Sequence, residues 1–210
     1  LSTLIITVDG PGGTGKSSVS REVARRLRLP YLDTGAFYRA ATLATMRAGA
    51  DPDDEAAVAG VVAGSAFDQT DGQMMLDGED VSEEIRGPDV EGLVSQVAAN
   101  PEVRRLLVAH QRAWAARHQH RAVIEGRDIG SVVFPEAEVK VYLDATPEVR
   151  ARRRAIQSGS DAGAVHSDLE RRDRIDSSRE ASPLQVPDGA VVVDTSALDF
   201  EEVVDRVVSL

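Results

Sequence analysis

The sequence predicts a parallel α/β fold, and three observations carry that prediction. Short apolar, β-branched runs recur along the 210 residues. Each is followed by a loop and a stretch with apolar residues at helical spacing. Apolar residues make up 42% of the chain, enough to bury a core against both faces of a central sheet.

In chain order, Leu4–Asp9 (LIITVD) reads as the first strand and Ser17–Leu27 as the first helix, with a glycine cluster between them. Tyr31–Asp33, Ala122–Glu125, Val139–Asp144 and Ala190–Asp194 read as further strands, and Phe200–Val208 as a last helix capped by Asp199. The stretch Phe67–Val81 breaks the rhythm. Its two Asp-Gly pairs, set between short alternating segments, predict a small antiparallel insert. Gly87-Pro88 and Asn100-Pro101 open two helical stretches, the second running to about His118 with Leu106, Leu107, His110 and Trp114 toward the core. From Gln157 to Ser167 the composition turns to Ser, Gly, Asp and Ala, which predicts a mobile loop between arginine-rich flanks.

Charge narrows the function. Thirty-five acidic side chains against 24 basic ones give a net charge of -11, the wrong sign for coating nucleic acid or an anionic membrane. The absence of cysteine removes disulfides, thiol catalysis and iron–sulfur sites, and fits the cytoplasm. The opening LSTLIITVDG has neither the basic leader of a signal peptide nor the length of a membrane span. His118 and His120, two apart on a helix, do not form a metal site without further ligands.

The chemistry enters at Gly10-Pro11-Gly12-Gly13-Thr14-Gly15-Lys16-Ser17, which matches GxxxxGK[ST] in the strand–loop–helix setting that this motif needs. Glycines let successive backbone N–H groups converge on phosphate oxygens, and the helix N-terminus adds partial positive charge. Lys16, one of only two lysines in the chain, supplies a full charge near the β and γ phosphates, and Ser17 a hydroxyl for Mg²⁺. The segment through Ser18 is therefore the expected ATP site, with Mg²⁺ as cofactor. A guanine-reading switch would carry Asn-Lys-x-Asp, and neither lysine follows an asparagine. A motor on nucleic acid would want a basic groove and aromatic platforms, whereas only 4% of residues are aromatic. A kinase acting on a small anionic acceptor remains.

Further segments carry a resemblance. LDTGAFYR at Leu32–Arg39, LDGEDVSEEIR at Leu76–Arg86, SQVAANPEVR at Ser95–Arg104, GRDIGSVVFP at Gly126–Pro135, VYLDATPEVRARRR at Val141–Arg154 and RRDRIDSSREASPL at Arg171–Leu184 follow TVDGPGGTGKSS in that order. Together they resemble the bacterial cytidylate kinases over essentially the whole chain. The resemblance implies a phosphate-loop kinase fold with a core at 1–36, 119–149 and 173–210 and a monophosphate lobe at 37–118, which holds the antiparallel insert at about 67–81. A mobile lid at 150–172 completes it. It implies transfer of the ATP γ-phosphoryl group to CMP or dCMP, by a monomer that uses neither nucleic acid nor membrane. Shikimate or uridylate-type kinases are the alternative within the class, and a non-catalytic nucleotide-binding regulator the alternative outside it.

By that resemblance Thr34, Tyr38 and Arg39 face the acceptor phosphate, a set that offers a guanidinium fork and hydroxyl donors to a dianion. Asp33 either orders Mg²⁺-bound water or caps the next helix. Arg127 can reach the acceptor phosphate and Asp128 the nucleotide, a turn held by an Asp–Arg pair being the alternative. Between Arg150 and Arg179 stand eight arginines and five acids. Arg150 and Arg154, four apart on one helix face, and Arg153 beside them are the lid residues expected to stabilise the transferring group. Arg172, Asp176 and Arg179 share a helix face, and the resemblance assigns them to ribose and base, with Ser95 and Arg104 completing the base-facing set.

Overall fold

A computed structural model of the chain describes residues 2–70, 72–159, 162–178 and 182–210. In chain order the elements are β1 (Leu4–Asp9), α1 (Lys16–Leu27), β2 (Tyr31–Asp33), α2 (Thr34–Arg47), α3 (Glu55–Gly64), β3 (Phe67–Thr70), β4 (Gln73–Leu76) and β5 (Glu79–Asp80). They continue with α4 (Pro88–Val97), α5 (Pro101–Arg117), β6 (Arg121–Glu125), β7 (Val139–Asp144), α6 (Pro147–Ser158), α7 (Ala162–Ser178), β8 (Val191–Asp194) and α8 (Phe200–Val208). The chain forms two compact units, one from Leu1–Tyr31 with His120–Leu210 and the other from Leu32–Gln119.

The first unit is built on the five-stranded sheet, in the order β2-β6-β1-β7-β8, so β1 lies in the middle and its carboxyl end opens where its neighbours' do. The pairings of β1 with β6, β1 with β7 and β7 with β8 are parallel. A parallel sheet needs crossover helices, and their apolar faces close a core of Ile6, Val8, Val19, Val23, Val123, Val141, Leu143, Val193, Val203, Val204 and Val207. Helix α8 starts with a reciprocal cap between Asp199 and Glu202. Its Glu201 and Asp205 both pair with Arg26 of α1.

The second unit begins where β2 hands over to α2. Asp33 caps α2 by accepting the Ala36 N–H, and the helix is buried along most of its length. Strands β3, β4 and β5 form the antiparallel sheet that the Asp-Gly pairs predicted, and Asp77 and Gly78 turn between β4 and β5 with φ of 51° and 84°. Two consecutive positive φ angles define the hairpin turn whose twist matches its strands. Prolines at the first position open α4 and α5, and the Asn100 side chain caps α5. Buried Trp114 donates its indole N–H to the Gln69 carbonyl at 2.7 Å and stacks on His118, a packing role. Helix α3 was not foreseen, although Asp54 caps it through two N–H groups.

The structure corrects one expectation. The described residues of Gln157–Ser167 are helical apart from Gly159, where α6 ends with φ of 67°. Alanine, counted there with the loop-forming residues, is the best helix former, so Ala162 and Ala164 open a new helix once glycine has ended the old one. Among the described residues no helix is long and apolar enough to cross a membrane.

Candidate active site

Within the first unit, the loop between β1 and α1 is shaped by glycines at positions only glycine fills. A Cβ on Gly10 would lie 2.1 Å from the Leu143 carbonyl oxygen, and one on Gly13 2.8 Å from that of Arg150, both with positive φ. Gly15, also at positive φ, precedes α1 without any side-chain cap, and the first turn carries no acidic residue. The leading N–H groups of that helix thus lack the protein oxygens that usually cap them, the arrangement that receives a phosphate.

Half-buried Lys16 folds back over this loop, its Nζ donating to the Pro11 carbonyl at 2.7 Å. Burial, then the neighbouring Arg127, push its ammonium down from the usual lysine range to about 7, against the opposing pull of Glu125, Asp9 and Asp173. The Ser17 hydroxyl donates to Oε2 of Glu125 at 3.1 Å, while the Tyr31 hydroxyl donates to the other oxygen of that buried carboxylate. The guanidinium of Arg21 lies over the Tyr31 ring, 5.4 Å from its centroid. With its proton directed at Glu125, Ser17 keeps its lone pairs for a cation, so the donor set fits Mg²⁺ held by one hydroxyl, water and phosphate oxygens. Among the described residues no cluster of three His, Asp or Glu side chains is placed to hold a metal by itself.

Beyond β6 the chain makes one wide helical turn, Ile129–Val133, in which the Phe134 N–H reaches back to the Ile129 carbonyl. Arg127 and buried Asp128 precede it. Arg127 donates to the Gly10 carbonyl at 3.0 Å and pairs with Asp176 of α7 at 3.2 Å. Asp9, fully buried, accepts the Ile129 and Gly130 N–H groups at 2.8 Å each. Burial raises its carboxyl to about 6 despite those bonds and Lys16.

Arg150 and Arg153 of α6 both grip the loop's backbone. Arg150 donates to the carbonyls of Gly12 and Ala145, each at 3.2 Å, and pairs with Asp173. Arg153 donates to the Thr195 hydroxyl and carbonyl at 2.8 and 2.7 Å, and more distantly to the Thr14 carbonyl. Arg154 lies half-buried on the same helix, and Arg172 half-buried on α7, four residues before Asp176. Ser18 is exposed on α1. Arg179 lies outside the described residues.

Thr34, Tyr38, Arg39, Ser95 and Arg104 all lie in the second unit. Thr34, Tyr38, Ser95 and Arg104 are buried. Arg104 donates to the Ala98 carbonyl at 3.2 Å and stands over the Tyr38 ring at 5.1 Å. Arg39 pairs with Asp33 at 2.8 Å, and the other Asp33 oxygen takes the Ala36 N–H. Of the two roles open to Asp33, the helix cap is present.

Asp9, Tyr31, Glu125, Asp173 and Thr195 were not singled out from sequence. For two of them a signal existed: Asp9 directly precedes the first glycine of the loop, and Glu125 ends a strand directly before Gly126-Arg127-Asp128.

The family model described as cytidylate kinase matches residues 6–210. The cytidylate kinase of Rhodococcus jostii is 52% identical, over 98% of this chain and 93% of its own. That of Mycobacterium leprae is 47% identical, over 100% and 96% respectively. Among solved structures, a gluconokinase from Sinorhizobium meliloti superimposes with a TM-score of 0.53 at 19% identity, over 99% of this chain and 90% of that one. An uncharacterized protein from Eubacterium ventriosum gives 0.57 at 10% identity, over 99% and 97%. These two likenesses concern the fold.

Proposed function

The chain belongs to the cytidylate kinase family, and from that premise we propose that it moves the γ-phosphoryl group of ATP onto the phosphate of CMP or dCMP, releasing ADP and the diphosphate. The observation that carries the reading is the complete loop from Gly10 to Ser17 at the carboxyl end of the central strand, with Lys16 half-buried over it. The acceptor oxygen is already ionised, so no general base is required. Catalysis is a matter of alignment and charge.

In this reading the segment Gly10–Ser18 holds the donor phosphates through the backbone N–H groups of its residues other than Pro11, and Lys16 follows the charge that moves toward ADP. Ser17, held by Glu125, would hold Mg²⁺ with substrate oxygens, and Asp33 its water; the ion would neutralise charge on the polyphosphate. Arg127, Asp128 and Arg154 act at the transferring group. Arg150 and Arg153 would reach it only by giving up the carbonyl bonds described above, and otherwise serve by shaping the loop. Thr34, Tyr38, Arg39 and also Arg127 take the acceptor phosphate. Ser95, Arg104, Asp128 and Arg179 read the base, and Arg172 and Asp176 the ribose.

Cytosine offers an amino donor beside two acceptors, and uracil reverses two of these features, so UMP meets like with like. The segment 150–172 acts as a lid on a core of 1–36, 119–149 and 173–210, with 37–118 as the monophosphate lobe. A monomer acting on free nucleotides in the cytoplasm fits the acidic, cysteine-free chain.

The test is ADP release measured with CMP, dCMP, UMP, AMP and shikimate. CMP and dCMP should lead, with UMP at least about a hundredfold lower in kcat/KM, from roughly 1–3 kcal/mol per mismatched buried contact. Equal rates for CMP and UMP would remove the cytidylate reading. Lys16→Ala should cost at least about 3 kcal/mol in transition-state stabilisation. Near-native kcat there would remove the phosphate loop from the mechanism.

A further inference from the structure

From the bonds at the end of β1 we infer that Asp9 is a positioning residue that ties the donor loop to the acceptor-side turn. Burying a carboxylate completely is costly unless every lone pair facing the protein is used. Here each oxygen takes one N–H of successive residues, Ile129 on Oδ1 and Gly130 on Oδ2, at 2.8 Å. These N–H groups lie at the start of a helical turn, where the helix itself offers no acceptor. Only a carboxylate presents two acceptor atoms in this forked arrangement. Asparagine would set an amide N–H against one of the two donors.

The turn is seated as closely as backbone allows. A Cβ on Gly130 would stand 2.8 Å from the Thr7 hydroxyl oxygen and 3.2 Å from Asp9 Oδ2. The next residue along β1 adds a second tie, since the Gly10 carbonyl accepts from Arg127 at 3.0 Å. Asp9 and Gly10 therefore hold the chain on both sides of Asp128, at the point where β1 becomes the phosphate loop. A shift of that loop on binding a polyphosphate would be passed to Arg127 and Asp128 through these ties.

This inference rests on the reading of Arg127 and Asp128 as acceptor-binding, and the experiment separates the two. Calorimetric titration with CMP and with a nonhydrolysable ATP analogue is run on the full chain and on Asp9→Asn, Gly130→Ala, Arg127→Ala and Asp128→Asn. Asp9→Asn and Gly130→Ala should each weaken CMP at least tenfold while the analogue changes less than threefold. A residue that merely closed the strand would lower the melting temperature and leave that ratio unchanged. CMP affinity within twofold of the parent in folded Asp9→Asn overturns the inference, as does equal weakening of both ligands. Should Asp9→Asn fail to fold, Gly130→Ala decides on the same thresholds. If Arg127→Ala and Asp128→Asn also bind CMP normally, it is the acceptor-site reading that has failed.

Discussion

Polyphosphate binding at Lys16 should draw a proton from solution. In the unliganded chain burial and the Arg127 charge hold the ammonium down at about 7, and a bound phosphate supplies the opposite charge that drives it back up toward the ordinary lysine range. At pH 8 a group with a pKa of about 7 is protonated in roughly one molecule in ten, so binding ADP should take up about 0.9 proton. ADP itself is fully ionised at that pH and contributes none. Affinity should therefore fall nearly tenfold per unit above pH 8 and level off below pH 7. The assay is calorimetry in buffers of different ionisation enthalpy, with Lys16→Met as the control without uptake.

The same shift fixes the sign of the stability effect. Between pH 7 and 10.5 the unfolded lysine holds its proton and the folded one has released it, so the unliganded fold gains stability as pH rises through that window. Lys16→Met should be the more stable chain below pH 7, by about 1–3 kcal/mol once the partial exposure of Lys16 is allowed for, and lose that advantage by pH 10. Uptake below about 0.2 proton in the parent, or undiminished uptake in Lys16→Met, would refute the reasoning.

Three further outcomes follow from the geometry. Gly13→Ala combines a φ of 80° with a Cβ 2.8 Å from the Arg150 carbonyl, and should lose at least about 2 kcal/mol of stability in chemical denaturation together with ATP affinity. Asp199→Ala removes the reciprocal cap of α8, at about 1 kcal/mol, and should lower the melting temperature by roughly 2–4 °C with kcat unchanged. Arg104→Met strips the guanidinium from above Tyr38, and should lower kcat/KM for CMP at least tenfold, about 1.4 kcal/mol, while calorimetry finds ATP binding little altered.

What the sequence by itself determined is what depends on neighbours in the chain. The phosphate loop, the Asp199 cap, the prolines that start α4 and α5, and the turn at Asp77-Gly78 are local, because each is set by the φ preferences and hydrogen-bonding groups of a few consecutive residues. Family motifs single out Thr34, Tyr38, Arg39, Ser95 and Arg104, which no periodicity announces, and all five lie in the second unit. Where local chemistry was ambiguous, as in the alanine- and serine-bearing stretch after Gln157, reading composition as a loop missed a helix.

Tertiary structure decided which distant groups complete the site. Ser17 meets Glu125 across 108 residues, Asp9 meets Ile129 across 120, and Arg150 meets the Gly12 carbonyl across 138. Periodicity tells which face of a strand is buried, but not which strand lies beside it. Only the order β2-β6-β1-β7-β8 brings the carboxyl ends of β1 and β6 side by side, so that Asp9 can hold the turn beyond Glu125. The roles of Asp9 and Glu125 thus belong to the sheet, since a carboxylate acquires its partners from whatever donors packing delivers to it.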